Sequence, residues 1–320
     1  MTEDRSLNRY IIALGIALCA TSFSSIFIRL TPASAIIIAF WRQFLASILT
    51  LLIIIFSKKF INLKKISKEQ IGYFILGGFF LALHFASWIL SLFYTTIAQS
   101  LVIVNASPAM VVIIGFVFLN EKINRYQIGG ILISIIGGLI IVFGSIQPSS
   151  QAPDPFYGNI LAFIGAVTFS GYIIIGRFIR SSHEIDLFTY TFYIYFISSI
   201  FLAIIALLTS SNEFFYSLTG NLPIYAYLGF FLLAIIPTIF GHTLYNYSLK
   251  EIKAAVVSVV TLGEPIISSI LAMIILFEYP SVISIIGGFI IIFGVSITIL
   301  RENKLEIIDI NLNLENRETI

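Results

Sequence analysis

Ten long apolar stretches, separated by short polar segments, run through this chain. They cover residues 10–30, 35–56, 71–91, 97–119, 126–146, 157–179, 188–209, 223–247, 253–277 and 281–300. Each is close to the roughly 20 residues that a helix needs to cross a bilayer. None shows the alternation of apolar and polar residues that is typical of barrel strands, and backbone groups in a bilayer must be satisfied within the protein. The pattern therefore predicts an all-α membrane protein with ten transmembrane helices.

Composition supports the same fold class. Of the 320 residues, 58% are hydrophobic and 11% are charged, and the mean hydropathy is +1.02, far from the values of soluble domains. The first stretch follows a charged N-terminus, as in a signal peptide, but it continues to Leu30 without an evident cleavage site. We therefore predict that it is the first spanning helix. The single cysteine, Cys19, excludes a disulfide framework and a Cys-based metal site, and we expect no cofactor and no metal.

Lysine and arginine residues lie in alternate linkers. If the N-terminus is cytoplasmic, sixteen of the eighteen fall on the inner side, and the outer linkers contain none. The other two are Arg29, at the outer end of the first helix, and Arg42, inside the second. Because positive residues favour the cytoplasmic side, this distribution predicts that both termini are cytoplasmic. The regular alternation also supports the count of ten helices.

The second half of the sequence resembles the first. The segment "SPAMVVIIGFVFLNE" (107–121) corresponds to "EPIISSILAMIILFE" (264–278), and "IIGGLIIVFG" (135–144) matches "IIGGFIIIFG" (285–294) at eight of ten positions. Each copy contains five helices, an odd number, so the second copy is expected to be inverted. We predict two inverted five-helix repeats, residues 1–150 and residues 151–320, the second with a short cytoplasmic tail. The alternative is that similar helix-packing needs, including glycine pairs at 77–78, 129–130, 137–138 and 287–288 for close helix contacts, produced the likeness.

Four motifs resemble those of a known family. They are "FWRQFLA" (40–46), "NASP" (105–108), "GHTLYNYSL" (241–249) and "LGEP" (262–265). In this order and within a ten-helix frame, they make the chain similar to the EamA family of the drug/metabolite transporter superfamily, from about Tyr10 to Arg301. The resemblance implies a carrier of small organic molecules in the bacterial cytoplasmic (inner) membrane, often an exporter, with a central cavity between two five-helix halves.

Glu264 is the one acidic residue deep inside an apolar stretch. An ionisable side chain there costs about 2.5–3.5 kcal/mol on insertion scales, so it must face a partner, a cavity or water. Pro265 predicts a helix break beside it. Two hypotheses follow: Glu264 exchanges a proton during transport, or it forms a static buried pair, for which Arg42 is the suspected partner. Arg42 has two alternatives of its own, to reach outward to the membrane surface or to attract an anionic group of a substrate.

Polar and aromatic side chains in other stretches complete the predicted site. His84 and Trp88 share a helix face, as do His242 and Asn246, and Asn105 precedes Pro108 at the break equivalent to that at Pro265. We expect a cavity lined by predicted helices 1, 3, 4, 6, 8 and 9. The predicted substrate-binding residues are Arg42, His84, Trp88, Asn105, His242, Tyr245, Asn246 and Glu264. The alternative for the histidines is that they only donate hydrogen bonds between helices.

The sequence predicts a secondary transporter and not an enzyme. It contains no G-x-x-x-x-G-K-[ST] loop, no H-E-x-x-H and no G-x-S-x-G, and its three histidines are dispersed. Nothing in it resembles the charged ring or filter loop of a channel. We expect an exporter of small organic metabolites such as amino acids that works by alternating access, a monomer or weak dimer, without a nucleic-acid partner. The alternatives are a proton-coupled multidrug or cation efflux carrier and, third, a uniporter or channel.

Overall fold

The computed structural model describes residues 2–57, 67–119, 125–144, 149–182, 185–250, 252, 257 and 260–297. The elements of this part of the chain are helices. In chain order they are α1 (Thr2–Ser22), α2 (Ser24–Leu30), α3 (Ala35–Phe56), α4 (Lys68–Ser91), α5 (Ile97–Val104), α6 (Ser107–Leu119), α7 (Arg125–Gly144), α8 (Pro155–Ser182), α9 (Leu187–Thr209), α10 (Ser211–Leu218), α11 (Ile224–Leu233), a π-helix (Ala234–His242), α12 (Thr243–Ser248), α13 (Glu264–Ile275) and α14 (Val282–Ile297).

Six helical segments are long and apolar enough to cross a membrane, and four apolar helices are shorter. The long segments are Arg9–Leu30, Ala35–Phe56, Lys68–Ser91, Pro155–Arg180, Leu187–Thr209 and Ile224–Ser248. The shorter helices are Ile97–Val111, Ile128–Ile141, Glu264–Ile275 and Val282–Ile297. All ten segments fall in the ten predicted stretches, and they confirm an all-α membrane protein. The count of ten spans and the inversion of the repeats stay predictions.

Four of the predicted spans are interrupted near their middle. One break, at Phe23, separates α1 from α2, and a second, at residues 105–106, separates α5 from α6. A third is a turn at residues 262–263 before α13, and the fourth is the π-helix between α11 and α12. Interrupted helices inside a membrane are tolerated where the freed backbone groups line a cavity or are buried in protein. The breaks therefore indicate where a site can lie.

Pro237 accounts for the π-helix. A proline has no backbone N–H, so it cannot donate the usual helical hydrogen bond, and its ring clashes with the carbonyl group four residues earlier. The turn widens, and two hydroxyl groups then bond to carbonyls five residues back: Thr238 Oγ1 to Leu233 O (2.8 Å) and Thr243 Oγ1 to Thr238 O (3.2 Å). Single π turns of this kind are common at functional sites.

The packing of the bundle places α4 against α8 and α9, α3 against α9, and α1 against the π-helix and α12. Some glycines of the predicted pairs lie at close helix contacts, and others do not. A Cβ atom at Gly78 would lie 2.6 Å from Ile197 Cγ2, and one at Gly137 would lie 2.9 Å from Gly287 O, which confirms these contacts. The prediction is wrong at Gly129 and Gly138, where nothing lies within 4 Å of the added atom.

Replacing Gly78 with alanine is expected to lower the free energy of unfolding by about 1–3 kcal/mol, because the new methyl group overlaps α9. Gly72 is the matched control, since it lies on an exposed face of the same helix with nothing within 4 Å of an added Cβ. Gly72→Ala is expected to be neutral or to stabilise by up to about 1 kcal/mol. Thermal unfolding of the detergent-purified proteins measures both. Equal stabilities of the two variants would contradict the close α4–α9 contact.

Candidate functional site

A small cavity lies at the level of the helix breaks. Its volume is about 30 Å³, and it is bordered by α1, α4, α5, α6, α8, the π-helix, α12 and α13. The side chains around it are Thr21, His84, Trp88, Leu101, Val104, Asn105, Ser107, Phe169, His242, Tyr245, Thr261 and Glu264. A buried water needs about 10–15 Å³ by this measure, so there is room for about two. In this conformation the cavity is small and is bordered by polar, aromatic and aliphatic side chains.

The structure brings six of the eight predicted site residues to this cavity. They are His84, Trp88, Asn105, His242, Tyr245 and Glu264. Arg42 does not border the cavity, and its guanidinium carbon lies 5.9 Å from the ring centroid of the cavity residue Trp88. Asn246 does not border it either, and its amide bonds to Tyr172 on α8. The structure places these six side chains around one cavity. That they bind a substrate stays a prediction.

Glu264 reaches the cavity because a helix begins there. The α13 helix starts at Glu264, with Gly263 before it and Pro265 in its first turn, in the middle of the stretch 253–277. Proline is well tolerated in a first turn, whose N–H groups have no partner within the helix. The positive end of the helix dipole also favours a carboxylate at this position. The predicted helix break beside Glu264 is therefore confirmed.

Hydroxyl groups surround the Glu264 carboxyl group. Thr21, on α1, lies close enough to interact with it, and the Thr21 hydroxyl also shares a hydrogen bond of 3.2 Å with the hydroxyl of Tyr245. Ser268, one turn further along α13, donates to the carbonyl of Ser22 (2.8 Å), next to the break between α1 and α2. The first turn of α13 is thus attached to α1 and α12 by hydroxyl groups, which can donate to a charged carboxylate or accept from a protonated one.

Arg42 is completely buried. Its Nε donates to Thr238 Oγ1 (2.9 Å) and its Nη1 to Ser24 Oγ (2.8 Å), so it is held between the π-helix and α2. The idea that Arg42 reaches outward to the membrane surface is therefore wrong. The side-chain hydroxyl groups of Thr238 and Ser24, which lie at two of the helix breaks, hold its guanidinium group inside the bundle. The suspected pairing of Arg42 with Glu264 does not take the form of a direct contact, since the one ion pair within 4.0 Å in the described parts of the chain joins Arg29 to Glu278. The charges of Arg42 and Glu264 still interact at longer range.

Aromatic rings and an unused donor surround the Arg42 guanidinium group. Its carbon lies 4.2 Å from the ring centroid of Phe85 and 5.9 Å from that of Trp88, distances at which a cation is attracted to an aromatic face. Two buried N–H donors in this region have no hydrogen-bond partner among the described residues, Arg42 Nη2 and Trp88 Nε1. Unpaired buried donors are unfavourable, so an acceptor that reached them would be bound strongly.

His84 forms a hydrogen bond to a neighbouring helix and also borders the cavity. Its Nδ1 lies 2.9 Å from the carbonyl oxygen of Gly165 on α8. Because a carbonyl group only accepts, Nδ1 carries the hydrogen and Nε2 is left as an acceptor. The ring stacks on Trp88 with a centroid distance of 5.7 Å and also borders the cavity. His84 is therefore an oriented cavity residue as well as a contact between helices.

His242 is held by aromatic contacts. Its ring meets Phe85 edge-on at 5.3 Å and Phe169 at 6.1 Å, and no hydrogen bond to its ring nitrogens is formed by the residues that the structure describes. The ring nitrogens therefore remain able to bind a guest in the cavity.

Asn246 is not among the side chains that border the cavity in this conformation. Its Nδ2 donates to Tyr172 on α8 (2.5 Å) and to the carbonyl of His242 (2.7 Å), four residues earlier. The amide is therefore engaged by α8 and by the end of the π-helix. Binding of a substrate by Asn246 stays a prediction.

Sequence reasoning missed several cavity residues. Thr21, Thr261 and Ser107 carry hydroxyl groups, and Leu101, Val104 and Phe169 form apolar walls. A signal for Thr21 existed, because the segment "ATSFSSIFIRL" (20–30) places four hydroxyl residues in an apolar helix, and all four are buried. The apolar walls had no such signal, since they look like any other residue of a spanning helix.

A second cavity of about 250 Å³ lies between α5, α13 and α14. Its lining includes Val102, Ile266 and Phe289, and it contains no ionisable side chain. Among the described residues no group of three His, Cys, Asp or Glu side chains is placed to hold a metal ion. The smaller cavity is therefore the place where polar chemistry converges.

Comparisons with known proteins give a family match, several relatives and a solved structure of similar fold. The model of the EamA-like transporter family matches residues 8–143 and 156–300. The uncharacterized transporter YyaM of Bacillus subtilis (strain 168) is 26% identical over 295 residues, 91% of this chain and 93% of that protein. An uncharacterized transporter of Archaeoglobus fulgidus is 27% identical over 302 residues, 93% of this chain and 99% of that protein. A solved crystal structure covers 93% of this chain and 99% of its own with a TM-score of 0.63 at 15% identity, which shows a likeness of fold alone.

Proposed function

Because this chain belongs to the EamA-like transporter family and is a multi-pass membrane transporter, we propose that it is a secondary carrier that exports small organic metabolites by alternating access. The observation that carries the proposal is the closed cavity at four helix breaks, bordered by a carboxylate, two histidines and a tryptophan. Charged and polar groups at this depth are unfavourable unless they serve a cavity or a partner.

The size of the cavity supports alternating access. About 30 Å³ is far below the roughly 300–1,000 Å³ of a typical small-molecule site, so the bundle must rearrange to admit a metabolite. Interrupted helices supply places where such a rearrangement can occur without loss of regular hydrogen bonds elsewhere. This structure then corresponds to a form in which the site is contracted.

The charges around the cavity favour a substrate with a carboxylate and an amino group, such as an amino acid. Arg42 Nη2 and Trp88 Nε1 are free to bind the carboxylate, Glu264 can receive the ammonium group, and Phe169 provides an apolar wall. A second candidate, a carrier of organic cations coupled to protons, is favoured by Glu264 in its aromatic surroundings, because a cation is attracted both to a carboxylate and to aromatic faces.

The organisation that we propose has two inverted halves, residues 1–150 and 151–320, with both termini in the cytoplasm and the protein in the inner membrane as a monomer or weak dimer. What supports the division is that the family model matches two segments, one in each half. The turns before Pro108 and Pro265 also occur at corresponding places of the two sequence copies.

Counterflow in vesicles tests the proposal. The purified protein is reconstituted, loaded with unlabelled candidate amino acids or amines, and diluted into the same compound carrying a label. A carrier is expected to give a transient, saturable uptake of label, because exchange through an alternating site requires a bound substrate on each passage. Rapid flux that does not saturate would indicate a channel, and a chemically altered product would indicate an enzyme; either outcome contradicts the proposal.

A further inference from the structure

A second polar cluster lies at one end of the bundle, away from the cavity. Arg29, near the end of α2, donates from Nη2 to the carbonyl oxygens of Thr95 (3.0 Å) and Gln151 (3.1 Å). The same nitrogen lies 3.5 Å from Glu278 Oε2. One guanidinium group thus joins four separate parts of the chain: the end of α2, the turn before α5, the segment before α8 and the segment after α13.

Glu278 also closes the beginning of α5. Its Oε1 accepts a hydrogen bond from the backbone N–H of Ile97, the first residue of that helix, and the side chain is buried. Four residues later on α5, Leu101 borders the cavity, about 6 Å further along the helix axis. About one turn of α5 therefore separates the cluster from the cavity.

The other end of the bundle is held by different contacts. Ser248, at the end of α12, donates to the carbonyl of Tyr10, about 30 Å from Arg29 along the first span. Next to it, Arg177 donates to the carbonyls of Leu249 (2.6 Å) and Lys250 (3.2 Å). Neither Arg29 nor Glu278 takes part in these contacts.

We propose that Arg29 and Glu278, with the carbonyl groups of Thr95 and Gln151, form the gate that closes the cavity on the predicted outer side. The inference rests on the proposed alternating access. Removing one member of a buried ion pair leaves the other charge buried without compensation, which is strongly unfavourable. The separated Arg29 reaches water when the four segments move apart, so loss of the pair favours the form that is open to the outside.

The test uses Glu278→Gln and a reporter cysteine. Glutamine keeps an oxygen that can accept from Ile97 N–H, so the variant removes the charge and retains the helix cap. The reporter is Leu101→Cys in a Cys19→Ser background, and its labelling by a membrane-impermeant maleimide added outside intact cells is measured. Opening of the gate is expected to raise the labelling rate roughly tenfold in Glu278→Gln and in Arg29→Gln. Arg29→Lys, which keeps the positive charge, should restore most of the protection.

Glu213 provides a matched control. Its Oε1 accepts from the backbone N–H of Ser34 (2.7 Å), so it also closes the start of a helix on the predicted outer side, but it has no ion pair within the described residues. Glu213→Gln should leave the labelling of Leu101→Cys unchanged. Unchanged labelling in both gate variants, or an equal rise with Glu213→Gln, overturns the proposal.

A second measurement separates gating from a loosened fold. In inside-out vesicles the same cysteine faces the reagent from the cytoplasmic side, and Glu278→Gln should lower or preserve its labelling there. A rise from both sides would show general loosening and would contradict the gate. Labelling requires no substrate, so absence of counterflow together with a one-sided rise would refute the proposed carrier function and leave the gate standing.

Discussion

Glu264→Gln is expected to abolish substrate accumulation driven by a pH gradient, while exchange at equal pH persists. Glu264 begins α13, borders the cavity and is flanked by the hydroxyls of Thr21 and Tyr245. Under the proposed alternating access, a carboxyl group in this place meets water when the cavity opens and loses it when the cavity closes. Glutamine has nearly the same size and stays polar, with one oxygen that accepts and an NH₂ group that donates, but it cannot bind and release a proton. Substrate transport is therefore no longer coupled to the proton gradient, whereas substrate exchange through the cavity continues.

The measurement compares two assays in the same vesicles. Accumulation under an imposed pH gradient should fall about tenfold or more in Glu264→Gln, because a carrier without its proton site moves substrate only down its own gradient. Counterflow at equal pH should change little. Glu213→Gln, a carboxylate substitution away from the cavity, should behave as the wild type in both assays. A normal response of Glu264→Gln to the pH gradient would contradict the coupling hypothesis. Loss of both accumulation and counterflow in a folded protein would instead indicate that Glu264 binds a cationic group of the substrate.

Arg42→Gln is expected to remove the preference for substrates that carry a carboxylate. The guanidinium group is held by Thr238 and Ser24, faces Phe85 and has one unpaired donor nitrogen. Hydrogen bonds to charged groups contribute about 1.5–3 kcal/mol, so the affinity for such a substrate should fall roughly 10- to 150-fold. An amine of the same shape without the carboxylate should lose little.

Competition in the counterflow assay measures this difference. An amino acid and its decarboxylated amine are added as unlabelled competitors, and their inhibition constants are compared between the wild type and Arg42→Gln. The amine is an internal control for the structural effect of losing a buried arginine, since both competitors depend on the same fold. An equal loss for both compounds would show that Arg42 only supports the bundle. Arg42→Lys should give an intermediate loss, because an ammonium group lacks the planar fork of donors.

The sequence predicted the membrane fold and half of the cavity lining for one physical reason. In a chain where nearly every position is apolar, a polar side chain stands out, and the cost of burying it in lipid forces it towards the inside of the bundle. Asn105 and Glu264 were found in this way, and the prolines beside them marked the two breaks.

Other features could not be predicted, because periodicity describes one helix at a time. The break at Phe23 has no proline, and the hydroxyl groups that support it come from distant segments. The bond from Asn246 to Tyr172 joins α12 to α8, which the spacing within one helix does not give. The pairing of Arg29 with Glu278 joins opposite ends of the sequence, and each residue alone looked like the end of a helix.

The volume of the closed cavity has a consequence for how the protein responds to its solvent. This structure has room for about two waters, and the open forms that the proposed alternating access requires would hold many more. Opening would then be a hydration reaction, so the activity of water would enter its equilibrium constant. Solutes that are excluded from protein surfaces, such as sucrose, are therefore expected to shift the carrier towards its contracted form, and osmotic stress is expected to raise the share of carrier molecules in that form.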